Sequence, residues 1–110
     1  MQTIDFKTGD TFSLDCQLFD SNGVAVDLTG LMLTSKITGS GLSSALTVTV
    51  TNAATGSVNV SASATETSAW PGKIEGLGAA QYGYLDIART DGTLVKHSPT
   101  IRVQLTKGIA

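Results

Sequence analysis

The sequence predicts an all-β fold, a β-sandwich or small barrel of seven or eight short strands with one short helix. Three observations predict it. Apolar and polar residues alternate in short segments along most of the chain, the period-two pattern of half-buried strands. Clusters of Gly, Asn, Asp and Ser separate these segments at spacings of roughly eight to twelve residues. Only residues 63–69 carry a helix-start signal, and a helix of about two turns cannot stand alone.

The elements follow in order. Residues 11–19 (TFSLDCQLF) place Phe12, Leu14, Cys16 and Leu18 on one face and Ser13, Asp15 and Gln17 on the other. Phe19 breaks the pattern, and its ring is expected to cover an end of the core. Asp20-Ser21-Asn22-Gly23 is turn chemistry: Asp bonds nearby backbone, and Gly accepts positive φ at no steric cost. Val24 and Val26 then alternate with Ala25 and Asp27 as a short strand, Leu28 anchors it, and Thr29-Gly30 turns the chain again. This stretch reads as a join between strands rather than a site.

Residues 31–38 (LMLTSKIT) put Leu31, Leu33, Ser35 and Ile37 inward. The Gly/Ser-rich run 39–44 reads as a flexible loop. In LTVTVT, Leu46, Val48 and Val50 point inward against Thr47, Thr49 and Thr51, and after the NAATG turn Val58, Val60 and Ala62 resume the alternation. Ser63-Ala64-Thr65-Glu66 has the spacing of a capping box and predicts a helix over 64–69. Pro71-Gly72 ends it, and Trp70 at the exit is expected to plug one end of the sandwich.

Residues 73–81 have two glycines and no clean period, and read as an inserted loop or irregular edge. In the strand over 82–89, Leu85 and Ile87 lie on one face and Tyr82, Tyr84 and Asp86 on the other. Asp91-Gly92 is the strongest hairpin signal in the chain. Pro99 marks an edge or a break, Ile101, Val103 and Leu105 form a last inward row, and residues 107–110 read as a tail.

A length of 110 residues suits one domain, residues 1–110. Charged residues make up 15% of the chain, against about 25% usually, so Thr, Ser, Gly and Ala must supply a neutral surface. The 7 Lys and Arg are scattered and the net charge is −2, which argues against nucleic acid as a partner. No apolar run reaches the roughly 20 residues a membrane helix needs. The opening MQTIDFKTGD lacks the basic region and apolar core of a signal peptide, so synthesis in the cytosol, or expression without a leader, is expected.

Catalytic chemistry is sparse. His97 is the one histidine and reads as an exposed strand residue. Cys16, the one cysteine, lies on an apolar face and reads as a small hydrophobe. Asp20, Asn22 and Asp27 lack the alternate spacing, closed by Glu, of a calcium loop, and no metal or cofactor is expected. Gly39 and Gly41 are followed by no GK[ST]. Not an enzyme is the resulting expectation. The interface candidates are Trp70, Tyr82 and Tyr84, whose rings either close the core or make contacts.

Several motifs together carry a resemblance. Gly9-Asp10-Thr11-Phe12, Asp20-Ser21-Asn22-Gly23, Val26-Asp27-Leu28-Thr29-Gly30, Ser63-Ala64-Thr65-Glu66-Thr67, Tyr82-Gly83-Tyr84-Leu85-Asp86-Ile87 and Asp91-Gly92-Thr93 occur in the order seen in a family of small phage virion domains. The chain is similar to the N-terminal, immunoglobulin-like antiparallel β-sandwich of siphophage upper baseplate proteins. The resemblance implies a non-enzymatic structural protein of the virion, made in the host cytoplasm, that docks on tail, baseplate, neck or head. It implies other virion proteins as partners, with the chain as one copy in a ring or cluster, either self-assembling as a homo-oligomer or needing a partner. Two departures, the intervening 73–81 and the absence of a fibre region after Ala110, favour a stand-alone component over a baseplate anchor. The alternative is a carbohydrate- or surface-binding β-sandwich module that stacks sugar rings on Trp70, Tyr82 and Tyr84.

Overall fold

A computed structural model describes residues 2–39, 41–74 and 78–108 of the chain. Among these are eight strands: β1 (Gln2–Thr8), β2 (Phe12–Gln17), β3 (Met32–Gly39), β4 (Leu42–Asn52), β5 (Ser57–Ala62), β6 (Gln81–Asp91), β7 (Leu94–His97) and β8 (Ile101–Lys107). A 3-10 turn, Ala53–Thr55, joins β4 to β5, and the helix α1, Ala64–Thr67, follows β5. The fold is all-β, as the alternation predicts.

The strands form one continuous sheet in the order β1-β8-β6-β3-β4-β5-β2, with β7 also beside β6. β4 explains how one sheet makes two layers. Its first half, residues 42–46, pairs with β3, and its second half, residues 47–52, pairs with β5. The order starts at β1 and ends at β2, which are consecutive in sequence, so the sheet curls nearly closed. The rings of Phe6 and Phe12 meet across that gap at 5.0 Å, edge to face.

The inward rows follow the period-two alternation, with Leu85 and Ile87 giving β6 its inner face, except that Val50, expected inward, is 44% exposed. Phe12, Ile37, Val60, Leu85, Ile87 and Val103 are all buried, from five different strands. α1 begins with a complete capping box: Glu66 N–H donates to Ser63 Oγ, and Ser63 N–H donates to Glu66 Oε1. It is four residues long, shorter than the expected 64–69, because Pro71 follows so closely. Trp70 plugs the end of the barrel, 5% exposed, with its ring centroid 5.8 Å from Phe6 and 5.7 Å from Phe12.

Five further expectations are corrected. The sheet is mixed, not antiparallel: β1 runs parallel to β8, from Gln2 opposite Ile101 to Thr8 opposite Lys107. The signal for β1 was present, because Ile4, Phe6 and Thr8 alternate inward against Thr3, Asp5 and Lys7. The stretch 39–44, expected as a flexible loop, carries strand pairing: Gly39 pairs with Leu42 at the end of the β3–β4 hairpin and Gly41 has φ +73, while Ser40 lies outside the described residues. Residues 24–28 form no strand beyond a single bridge between Phe19 and Ala25, since Asp20 Oδ1 accepts from Asn22 and Val24 and closes the turn too tightly. Phe19 does not cover the core but is 52% exposed. Lys107 belongs to β8, and Gly108 N–H donates to Thr8 O, so the tail there is paired. Residues 109–110 lie outside the described residues.

Lys73 forms a parallel bridge with Thr106, and Gln81 already belongs to β6. Residues 75–77 lie outside the described residues.

Between β2 and β3 the chain docks on the 3-10 turn. Leu18 N–H donates to Gly56 O, Val26 N–H to Leu18 O, and Leu28 N–H to Ala53 O. Gly56 has φ +71, and a Cβ there would stand 2.6 Å from Leu18 O. No side chain fits, which is why glycine occupies the position. Leu28 is buried as the anchor, and the stretch is a join, as its turn chemistry predicts.

Candidate functional site

The outward face of β3, β6 and β7 is built by alternation. On β6, Leu85 and Ile87 point in, so Tyr82, Tyr84, Asp86 and Ala88 point out. Gly83 sits inward between the tyrosines, where a Cβ would stand 2.7 Å from Ile37 Cδ1. Cross-strand partners share a face, which sets Lys36 beside Asp86, Thr38 beside Tyr84, and His97 beside Ala88. The small side chains of Ala45 and Ala88 leave an open groove of about 580 Å³ bordered by Tyr84, Lys36, Asp86 and His97.

His97 Nδ1 lies 3.3 Å from Asp86 Oδ2 in this groove. Reading the residues one at a time did not bring the two together. The Asp91-Gly92 hairpin could have: counting back from that turn puts His97 opposite Ala88 and Asp86 two residues along the same face. A His–Asp pair at this distance has the spacing of the base and its orienting carboxylate in a catalytic triad. Both side chains are well exposed, at 58% and 38%, and Ser35, a hydroxyl on the neighbouring strand, turns inward to donate to Asp86 O. An exposed pair of this kind contributes little stability.

The three interface candidates separate. Trp70 is in the core, and among the described residues its indole Nε1–H is buried without an acceptor. Tyr82 is half-buried beneath Arg102, whose guanidinium carbon stands 4.8 Å over the ring, while Arg102 Nε donates to Thr3 Oγ1 at 3.1 Å. Tyr84 is 38% exposed at the groove. The structure therefore brings Tyr82 and Tyr84 to one face and removes Trp70 from it.

A second surface was not apparent in the linear sequence. Met32, Leu94 and Val95 are 71%, 64% and 55% exposed, and Phe19 and Val24 are 52% and 60% exposed. Register places Met32 and Val95 on one outward row, each opposite Thr90. Phe19 and Val24 sit on the connection that leads into β3, at the same end of the barrel. Five large exposed apolar side chains thus lie toward one end of the barrel, the end opposite α1 and Trp70.

Cys16 is half-buried on the inner side of β2. Burial, and then the negative charge of Asp15, push its thiol pKa up, so it is a poor nucleophile. Among the described residues no three His, Cys, Asp or Glu side chains gather into a metal ligand set. No protein-family model matches the chain, and no curated protein matches its sequence significantly.

Proposed function

We propose that this chain is a non-enzymatic assembly module of a phage virion, docking on tail, baseplate, neck or head. The observation that carries the reading is the exposed apolar end formed by Phe19, Val24, Met32, Leu94 and Val95. Clusters of this kind on a small domain mark protein contacts, because exposing them to water costs free energy that a partner recovers. A neutral surface with few charges suits close packing between neighbours.

Strand neighbours support an immunoglobulin-like form of the fold. The second strand lies beside the fifth, the third beside the sixth, and the sixth beside the last. These are the B–E, C–F and F–G contacts of that sandwich. Lys73, bridged to Thr106, and the apolar end lie at opposite ends of the barrel, which suits a component in contact with more than one neighbour.

Incorporation tests the reading. The purified protein, mixed with particles that lack it, is expected to join them, and a Met32→Asp/Leu94→Asp variant with unchanged melting is expected to stay free. Failure of the unaltered protein to join, or equal incorporation of the variant, overturns the reading. A carbohydrate- or surface-binding module is the second reading, supported by Tyr84 at the rim of a groove that Lys36, Asp86 and His97 also border. It requires glycan binding that Tyr84→Ala abolishes.

A further inference from the structure

Among the described residues no ladder joins β2 to the β7–β8 strand line. β7 and β8 both lie beside β6 and are interrupted at residues 98–100, where Ser98 Oγ accepts from Ile87 N–H and Ser98 N–H donates to Ile87 O. β1 covers β8 only from Ile101 onward. Beyond that level β2 faces residues 98–101 across a groove of about 500 Å³ floored by Leu14, Cys16, Ile87 and Ile101, with Gln2 at its lower mouth.

Two features say what belongs there. The first is the contrast between edges. β7 is four residues long, carries Lys96, and is followed by Pro99, the devices that keep an edge from pairing. β2 is six residues long with neither Lys nor Pro, and among the described residues its ladder partner is β5 alone. The second feature is charge. Arg89 and Lys96 stand directly opposite each other across the β6–β7 ladder, a destabilising like-charge pair, and both border a second groove of about 640 Å³ that continues the first through Gln17, Leu18, Ser98 and Pro99. Among the described residues neither forms an ion pair. Asp20 also borders this groove, but its Oδ1 is taken by the amides of Asn22 and Val24.

We propose that this seam accepts an extended strand from a partner protein. The strand lies along β2, sets alternate apolar side chains on Leu14, Cys16, Ile87 and Ile101, and presents a carboxylate to Arg89 and Lys96. Backbone pairing supplies affinity and the apolar floor and basic mouth supply selectivity, the mode of strand addition to an open edge. The proposal deepens the assembly reading and rests on it only for where the strand comes from.

A tethered strand tests the groove itself. Because Gln2 lies at the groove's lower mouth and β1 runs antiparallel to β2 through the sheet order, an extension placed before Gln2 runs up the groove antiparallel to β2. About six residues at roughly 3.3 Å each span the distance from Ile101 back to Lys96. An extension alternating Val and Thr and beginning with Asp is expected to slow alkylation of Cys16 by on the order of tenfold and to raise the melting temperature. A Gly/Ser extension of equal length is expected to do neither, and a Lys in place of the Asp to protect less. Replacing Lys96→Glu is expected to reverse that charge preference. No protection by the Asp-bearing strand, equal protection by Gly/Ser, or equal protection by the Asp and Lys forms overturns the proposal. Protection of Cys16 that rises with concentration in the unextended protein would assign the seam to a second copy and overturn the partner assignment. Each of these readouts is independent of incorporation into particles.

Discussion

The hydroxyl of Thr67 donates to the carbonyl of Asp10 at 2.6 Å and accepts from the amide of Gly9 at 3.0 Å. One fully buried side chain thereby ties the helix after β5 to the turn between β1 and β2, some 57 residues away in sequence. Thr67→Val keeps the shape and leaves both backbone groups without a partner. It is expected to cost about 1–3 kcal/mol, and Thr67→Ser much less. Chemical denaturation of the two variants checks this.

Gly23 and Gly56 both have positive φ, at +77 and +71, but differ in their surroundings. A Cβ at Gly23 meets nothing within 4 Å, whereas one at Gly56 meets Leu18 O at 2.6 Å and Val26 O at 2.9 Å. Gly23→Ala is expected to cost about 1 kcal/mol from backbone strain alone. Gly56→Ala must also push apart the backbone of the β2–β3 connection, and its melting temperature is expected to fall well below that of Gly23→Ala.

Trp70 holds the closed end of the barrel with Phe6 and Phe12. Trp70→Ala is expected to cost about 3–5 kcal/mol through the cavity it leaves. Trp70→Phe is expected to cost far less, since it also removes a buried N–H that has no acceptor among the described residues. In the unaltered protein the indole emission is expected to be that of a buried ring, unmoved by glycans. An emission shift on adding a glycan would contradict the position of Trp70.

Acid is expected to loosen the α1 cap. The amide and then the hydroxyl of Ser63 hold the Glu66 carboxyl below its usual pKa, as Thr29 does for Asp27. A carboxyl depressed in the folded state stabilises above the unfolded value, near 4.3 for Glu, and loses that contribution as pH falls through the folded one. Melting temperature is therefore expected to be level from neutral pH down to about 5 and to fall below that. The fall attributable to the cap is expected to be smaller in Glu66→Gln, measured by thermal melts across acid pH.

The inward rows were legible in the sequence because alternation is a local property. Phe12, Ile37, Val58, Val60 and Val103 can be assigned to a buried face from their immediate neighbours, and each is buried. Ser63 and Glu66 likewise define their cap within four residues, and Asp91-Gly92 its hairpin. Trp70, Tyr82 and Tyr84 were legible only as rings that either close the core or make contacts, because alternation separates the two faces of a strand without saying which one the core covers.

Local pattern by itself determined the all-β class, the faces of most strands, and the turns. Tertiary structure alone decided which strands lie side by side. The parallel partnership of β1 with β8 joins the two ends of the chain, and no neighbouring residue specifies it. The same is true of the apolar end that gathers Phe19, Met32 and Leu94, and of the Arg89–Lys96 opposition over the open seam. Such surfaces arise from register and from the way β4 passes between layers, and both are set by packing the whole core at once.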